Sequence, residues 1–98
     1  VDFTVENILI PMDHPCFEGH FPGHPIFPAV AQLDLVLEHL QTIMERNLML
    51  IEIKRAKFPA PIHPGTRVNL ALKVQDYTVF WKIFADDKTY SQGTVQVL

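Results

Sequence analysis

Across residues 66–75 the chain alternates in character: Val68, Leu70, Leu72 and Val74 are apolar, while Arg67, Asn69 and Lys73 fall between them. A period of two puts the first set on one face of a strand and the second on the other. Residues 77–85 and 89–97 read as two further strands, joined through Asp86, Asp87 and Lys88. Residues 3–10 read as a strand stopped by Pro11, and residues 48–58 are strand-like, although basic residues interrupt them. Between these segments the period changes. Val30, Leu33, Leu37, Leu40 and Met44 recur at steps of three and four, and Val36 and Ile43 widen the stripe. Pro28 suits a helix start, where its missing N–H costs nothing, and Asn47 is a plausible stop. The helix so predicted has ~18 residues and a length of about 27 Å.

Two stretches resist any regular pattern. Residues 12–28 hold Pro15, Gly19, Pro22, Gly23, Pro25 and Pro28, and residues 59–65 hold Pro59, Pro61, Pro64 and Gly65. Both predict stiff loops. The order is therefore strand, rigid loop, one long helix, then about four consecutive strands. Short links between consecutive strands favour an antiparallel sheet, and that sheet must cover the helix. The expected class is α+β, one domain over residues 1–98.

Composition narrows the function. Eight basic against eleven acidic residues leave a net charge of −3, which argues against a nucleic-acid binder. One cysteine, Cys16, allows no internal disulfide framework, so a reducing cytoplasm is the expected setting. Cys16 itself reads most simply as a small buried hydrophobe. No apolar run approaches membrane-spanning length, and Asp2, Glu6 and Asn7 make the first residues unlike a signal peptide.

The loop before the helix is where chemistry concentrates. A loop ending at a helix N-terminus presents unpaired backbone N–H groups at the positive end of the helix dipole. Such groups suit an oxygen that gains negative charge, as a thioester carbonyl does on becoming an enolate. His20 lies in that loop, and neutral imidazole is the usual general base near neutral pH. Asp34 comes later, in the helix beside the apolar stripe, and begins a polar row with Glu38, Gln41 and Glu45. For Glu38 and Glu45 a solvated helix face is the simpler reading. His24 and His63 adjoin prolines and read as loop residues. The spacing of His14, His20 and His24 matches no metal-ligand pattern.

These residues also carry a resemblance. His14-Pro15-Cys16-Phe17-Glu18-Gly19-His20-Phe21-Pro22-Gly23-His24-Pro25-Ile26-Phe27-Pro28 resembles the signature of the 3-hydroxyacyl-acyl carrier protein dehydratases of bacterial fatty-acid synthesis. It continues through Leu33-Asp34 and returns at Ala56-Lys57-Phe58 and Pro61-Ile62-His63-Pro64-Gly65. The resemblance implies the hotdog fold, a long central helix wrapped by an antiparallel sheet. It also implies the loss of water from a (3R)-hydroxyacyl thioester to give a trans-2-enoyl thioester. His20 would be the base and Asp34 the acid, facing each other from opposite subunits of a homodimer. The Ala29 N–H, with that of Gly23, would hold the thioester oxygen, and Phe21, Ile26, Phe27 and Leu33 would line the acyl chain. No metal or organic cofactor is implied. The substrate would ride on acyl carrier protein, an acidic partner for which Lys54, Arg55 and Lys57 form the densest basic patch.

Four positions depart from or divide the pattern. Ala29 stands where the family usually has glycine, and Glu38 where it usually has glutamine. Asp34 matches the dehydratase–isomerase branch, whereas Gly19 and the short chain match the dehydratase-only branch. Two other functions stay open on the sequence: a hotdog acyl thioesterase, and a non-catalytic acyl-binding partner in a heterodimeric dehydratase.

Overall fold

The computed structural model describes residues 1–13 and 26–98. Their elements run β1 (Asp2–Leu9), α1 (Ala29–Met44), β2 (Leu50–Lys57), β3 (Arg67–Gln75), β4 (Thr78–Ala85) and β5 (Lys88–Val97). All five strands form one antiparallel sheet in the order β1-β3-β4-β5-β2. The α+β expectation holds, with one helix packed on one face of the sheet.

The alternation read from the sequence sets that face. Val68, Leu70 and Leu72 of β3 are buried, as are Val79, Trp81 and Ile83 of β4 and Val95 and Val97 of β5. The strands pair in register, Leu70 opposite Ile83 and Leu72 opposite Trp81, so the apolar side chains stack across the sheet. From the helix, Val36 and Leu40 enter this core fully, and Leu33, Leu35, Leu37, Ile43 and Met44 pack against it. Both tight hairpins turn on an aspartate in the left-handed region, Asp76 at φ 56° and Asp86 at φ 51°. Aspartate tolerates that conformation better than most side chains.

Gly93 shows how closely the sheet is built. It pairs with Trp81 on one side and Ala56 on the other. A Cβ there would lie 2.5 Å from the Trp81 ring and closer still to the Arg55 carbonyl oxygen. The bare backbone lets the indole lie over β5, where Trp81 Nε1 donates to buried Ser91 Oγ at 3.1 Å.

Two expectations need correction, and one strand is irregular. The helix stops at Met44 rather than Asn47, because Glu45 adopts the left-handed conformation (φ 53°, ψ 42°) and ends the α-helical run. Val30, placed on the buried stripe, is 71% exposed; the stripe turns away from it toward Val36 and Leu40. β2 does not alternate. Its register with β5 shifts between Leu50 and Glu52 and again between Ile53 and Arg55. Each shift adds a residue and reverses the facing of the residues beyond it.

Candidate active site at the helix start

The first turn of α1 is held by three contacts. Phe27 N–H donates to the Ile62 carbonyl at 2.8 Å, Gln32 N–H donates to the Pro28 carbonyl at 3.0 Å, and Gln32 Nε2 donates to the Phe27 carbonyl at 3.1 Å. Phe27 and Ile62 are buried, as is Ile10 at the end of β1. Ile10 in turn exchanges bonds with the second loop: its N–H donates to Thr66 and its carbonyl accepts from Gly65. Gly65 makes this approach at φ 83°, a conformation that favours glycine. The Pro61–Gly65 segment, read from the sequence as a stiff connection and as part of the family resemblance, therefore ties the helix start to β1.

Pro28 precedes the helix in extended conformation (φ −74°, ψ 164°), and no side chain caps it. The first helical bond found is that of Gln32, so by helix geometry the N–H groups of Ala29, Val30 and Ala31 have no intrahelical acceptor. Ala29 is exposed. Among the described residues the helix thus opens with uncapped donors at its positive end, and its first turn holds no acid. This is a place for an oxygen that gains charge.

The candidate residues divide around this point. His20, Phe21 and Gly23, together with His14, Cys16 and His24, lie outside the described residues. Asp34 is exposed, between Val30 and Leu37 at helical spacing. Ile26 and Leu33 are half-buried, while Phe27 is 2% exposed and sits in the core as a prop for the helix start. Glu38 is exposed one turn beyond Asp34. Lys54, Arg55 and Lys57 are all exposed on β2. Arg55 and Lys57 pair with Thr94 and Gln92, whereas Lys54 falls within the register shift.

Gln32 escapes the sequence reading. It is 3% exposed, and its Oε1 has no hydrogen-bond partner among the described residues. A polar residue inside the apolar run from Val30 to Leu33 is the available signal. Its amide joins the Phe27 carbonyl to the helix. Among the described residues no cluster of His, Cys, Asp or Glu is arranged to hold a metal ion, and no helix is long and apolar enough to cross a membrane.

Known proteins share this fold and much of this sequence. The ApeI-like family, described as ApeI dehydratase, matches residues 3–94. The 3-hydroxyacyl-[acyl-carrier-protein] dehydratase FabZ of Campylobacter curvus is 35% identical, over 92% of this chain and 68% of its own length. The FabZ of Nitratiruptor is 33% identical, over 88% of this chain and 66% of its own. The chain thus spans about two thirds of the length of these relatives. Among solved structures, the dehydratase heterocomplex ApeI:P from Xenorhabdus doucetiae superposes with a TM-score of 0.87 at 26% identity, covering 98% of this chain and 86% of that one. The chain belongs to the ApeI-like dehydratase family and has its hotdog fold, so the family resemblance drawn from the loop motif holds.

Proposed function

We propose that this chain dehydrates (3R)-3-hydroxyacyl thioesters carried on acyl carrier protein to trans-2-enoyl thioesters, acting in the cytoplasm as a dimer. The observation that carries the reading is the helix start. Its donors are uncapped, it is fixed by Phe27 and Gln32, and a carboxylate stands further along on the exposed row.

The steps are dictated by the two bonds that the substrate gives up reluctantly. The proton on C2 is weakly acidic, so the thioester carbonyl must be polarised while the C–H bond breaks. The Ala29 N–H, with that of Gly23, accepts this role, and His20 takes the proton. The electron pair forms the C2–C3 double bond and expels the C3 hydroxyl. Hydroxide leaves poorly, so Asp34 gives it a proton and it departs as water. His20 then holds one proton too many and Asp34 one too few. Transfer of that proton restores both, and the sum is one thioester giving one enoyl thioester and one water. Phe21, Ile26 and Leu33 offer apolar contacts to the acyl chain, and Phe27 props the helix start from the core.

A second copy completes the site in this reading. Asp34 sits on a helix row with exposed Val30 and half-buried Leu37. β2 is a sheet edge, paired only with β5, with Ile51 and Ile53 about half exposed. Water-facing apolar residues on a free strand edge favour association with another chain. His20 of one copy then meets Asp34 of the other.

The ApeI:P heterocomplex, together with Ala29 and Glu38 in place of the usual glycine and glutamine, supports a second reading: a subunit that binds acyl groups beside a fuller dehydratase. Assay of the purified chain on 3-hydroxyacyl-carrier substrates of several lengths separates the readings. Enoyl thioester supports the dehydratase, free acid a thioesterase, and no turnover without a second protein the partner subunit.

A further inference from the structure

The face of the sheet opposite the helix gathers half of the chain's basic residues. Pairing across the strands puts two rows side by side. One runs Asp2, Lys73, Phe80, Thr94, Arg55, and the other Thr4, Ala71, Lys82, Gln92, Lys57. Together they line a groove of about 550 Å³. Four of the chain's eight basic residues stand in it, against one acid, Asp2, in a chain whose net charge is −3. Phe80, 39% exposed, lies among them, and Lys82 holds its ammonium 5.4 Å from the Phe84 ring centroid.

The second register shift of β2 builds this arrangement. Ile53 pairs with Val95, a core residue, so its side of the strand is the helix side. Without the shift, Arg55 and Lys57 would fall on that same side. With it they pair with Thr94 and Gln92 and join Lys73 and Lys82 on the outer face. Lys54, inside the shift, is not part of the groove lining.

We infer that this outer-face groove is where the acidic surface of the acyl carrier protein docks, with Lys73 and Lys82 joining Arg55 and Lys57. The inference rests on the dehydratase reading and supplies the carrier's place on the chain. Charge complementarity selects an acidic partner, and exposed Phe80 gives it an apolar contact at the centre. The position suits delivery. Lys57 ends β2, and five residues later (62 − 57) Ile62 holds Phe27 at the helix start. A carrier seated at the β2 end of the groove lies beside the loop that frames the site, and its flexible arm passes round that loop. Pairing β2 with a second copy uses the free strand edge and leaves this face open.

The test is the double variant Lys73→Glu/Lys82→Glu, with Lys82→Gln as a milder companion, each checked for native circular dichroism. Turnover is measured on one 3-hydroxyacyl group presented on carrier protein and on N-acetylcysteamine. For the double variant, KM for the carrier-linked substrate should rise about tenfold at low salt, with kcat and all activity on the small thioester unchanged. Added salt should raise the wild-type KM and narrow the difference. An unchanged KM for the carrier substrate overturns the inference, as does an equal loss on both substrates. If the wild type turns over neither substrate, the dehydratase reading fails, but titration with holo-carrier still decides docking. A Kd about tenfold weaker in the variant supports it. An equal Kd, or binding to duplex DNA or anionic vesicles in place of the carrier, overturns it.

Discussion

The two ends of α1 are finished in opposite ways. At its C-terminus the Gln41 carbonyl accepts from the N–H groups of Glu45 and Arg46, and Gln41 Oε1 accepts from Leu48 N–H at 2.8 Å. At its N-terminus no side chain caps Pro28, and the polar contacts hold the preceding residues rather than the helix donors. Leaving a cap out costs about 1 kcal/mol in an ordinary helix. The open end is also where the loop motif arrives, with Asp34 just beyond it. The comparison teaches that the closed end satisfies its own backbone groups, while the open end leaves donors for the role proposed for them.

The sharpest way to break the comparison is at the open end. Asp34→Asn keeps the size of the side chain but cannot protonate a leaving hydroxyl. Turnover should fall about 10²- to 10⁴-fold, the usual scale for losing a general acid. Because Asp34 is exposed, the midpoint of urea unfolding should barely move. Mixing Asp34→Asn with His20→Ala chains should restore part of the activity, since one mixed site holds both intact groups. Failure to recover, under conditions where subunits exchange, would mean that the two residues act within one chain or that Asp34 is only a solvated helix residue.

Ile62→Ala attacks the frame instead of the chemistry. Ile62 is fully buried, and its truncation should cost about 2–5 kcal/mol by the usual scale for core isoleucine. Its backbone carbonyl still accepts from Phe27 N–H, but the segment that carries it loses its seat in the core, so kcat of the folded fraction should fall as well. Denaturant unfolding gives the first quantity and assay at low temperature the second. A large stability loss with unchanged kcat would show that the packing of Ile62 does not position the donors.

Gln41→Ala is the matching test of the closed end. It leaves the Leu48 N–H without its acceptor in a part-buried setting, and about 1–2 kcal/mol of stability should be lost. Specific activity per folded molecule should stay within about twofold. A loss of activity as large as that of Ile62→Ala would erase the distinction between the ends.

How much of this is legible depends on which residues announce themselves. β3 and β4 can be read closely because alternation there meets a sheet with one covered face, and Val68, Leu70, Leu72, Val79, Trp81 and Ile83 are all buried. The turn at Asp86 and Asp87 is visible for the same local reason. β2 shows as a strand, but its two register shifts do not, because a bulge depends on how the partner strand pairs. Its basic residues can be counted but not assigned to a face. The helix start is marked by Pro28 and by the motif, whereas the role of Gln32 depends on a contact with Phe27 that an apolar stripe passes over. The exposure of Asp34 and Val30 is hidden because one sheet covers only part of a helix that is apolar on more than one side.

The helix stop lies three residues before Asn47 for a reason that gives the smallest prediction. Glu45 occupies the left-handed position that usually belongs to glycine, or to asparagine as the next choice. The preference for those two residues therefore points past Glu45 to Asn47. A side chain with a Cβ is disfavoured there by about 1 kcal/mol, while glycine gives back part of that through the greater freedom of its unfolded chain. Glu45→Gly should then raise stability by about 0.5 kcal/mol. The bond from residue 45 to the Gln41 carbonyl is a backbone bond and survives the change. Glu45 is exposed at the end of the helix away from Ala29, so kcat and KM should not move. A small rise in the urea midpoint with unchanged kinetics fits a closed end that is purely structural. A drop in stability would mean that the Glu45 side chain contributes more than its backbone strain costs. A change in kcat would carry the influence of the closed end through to the open one.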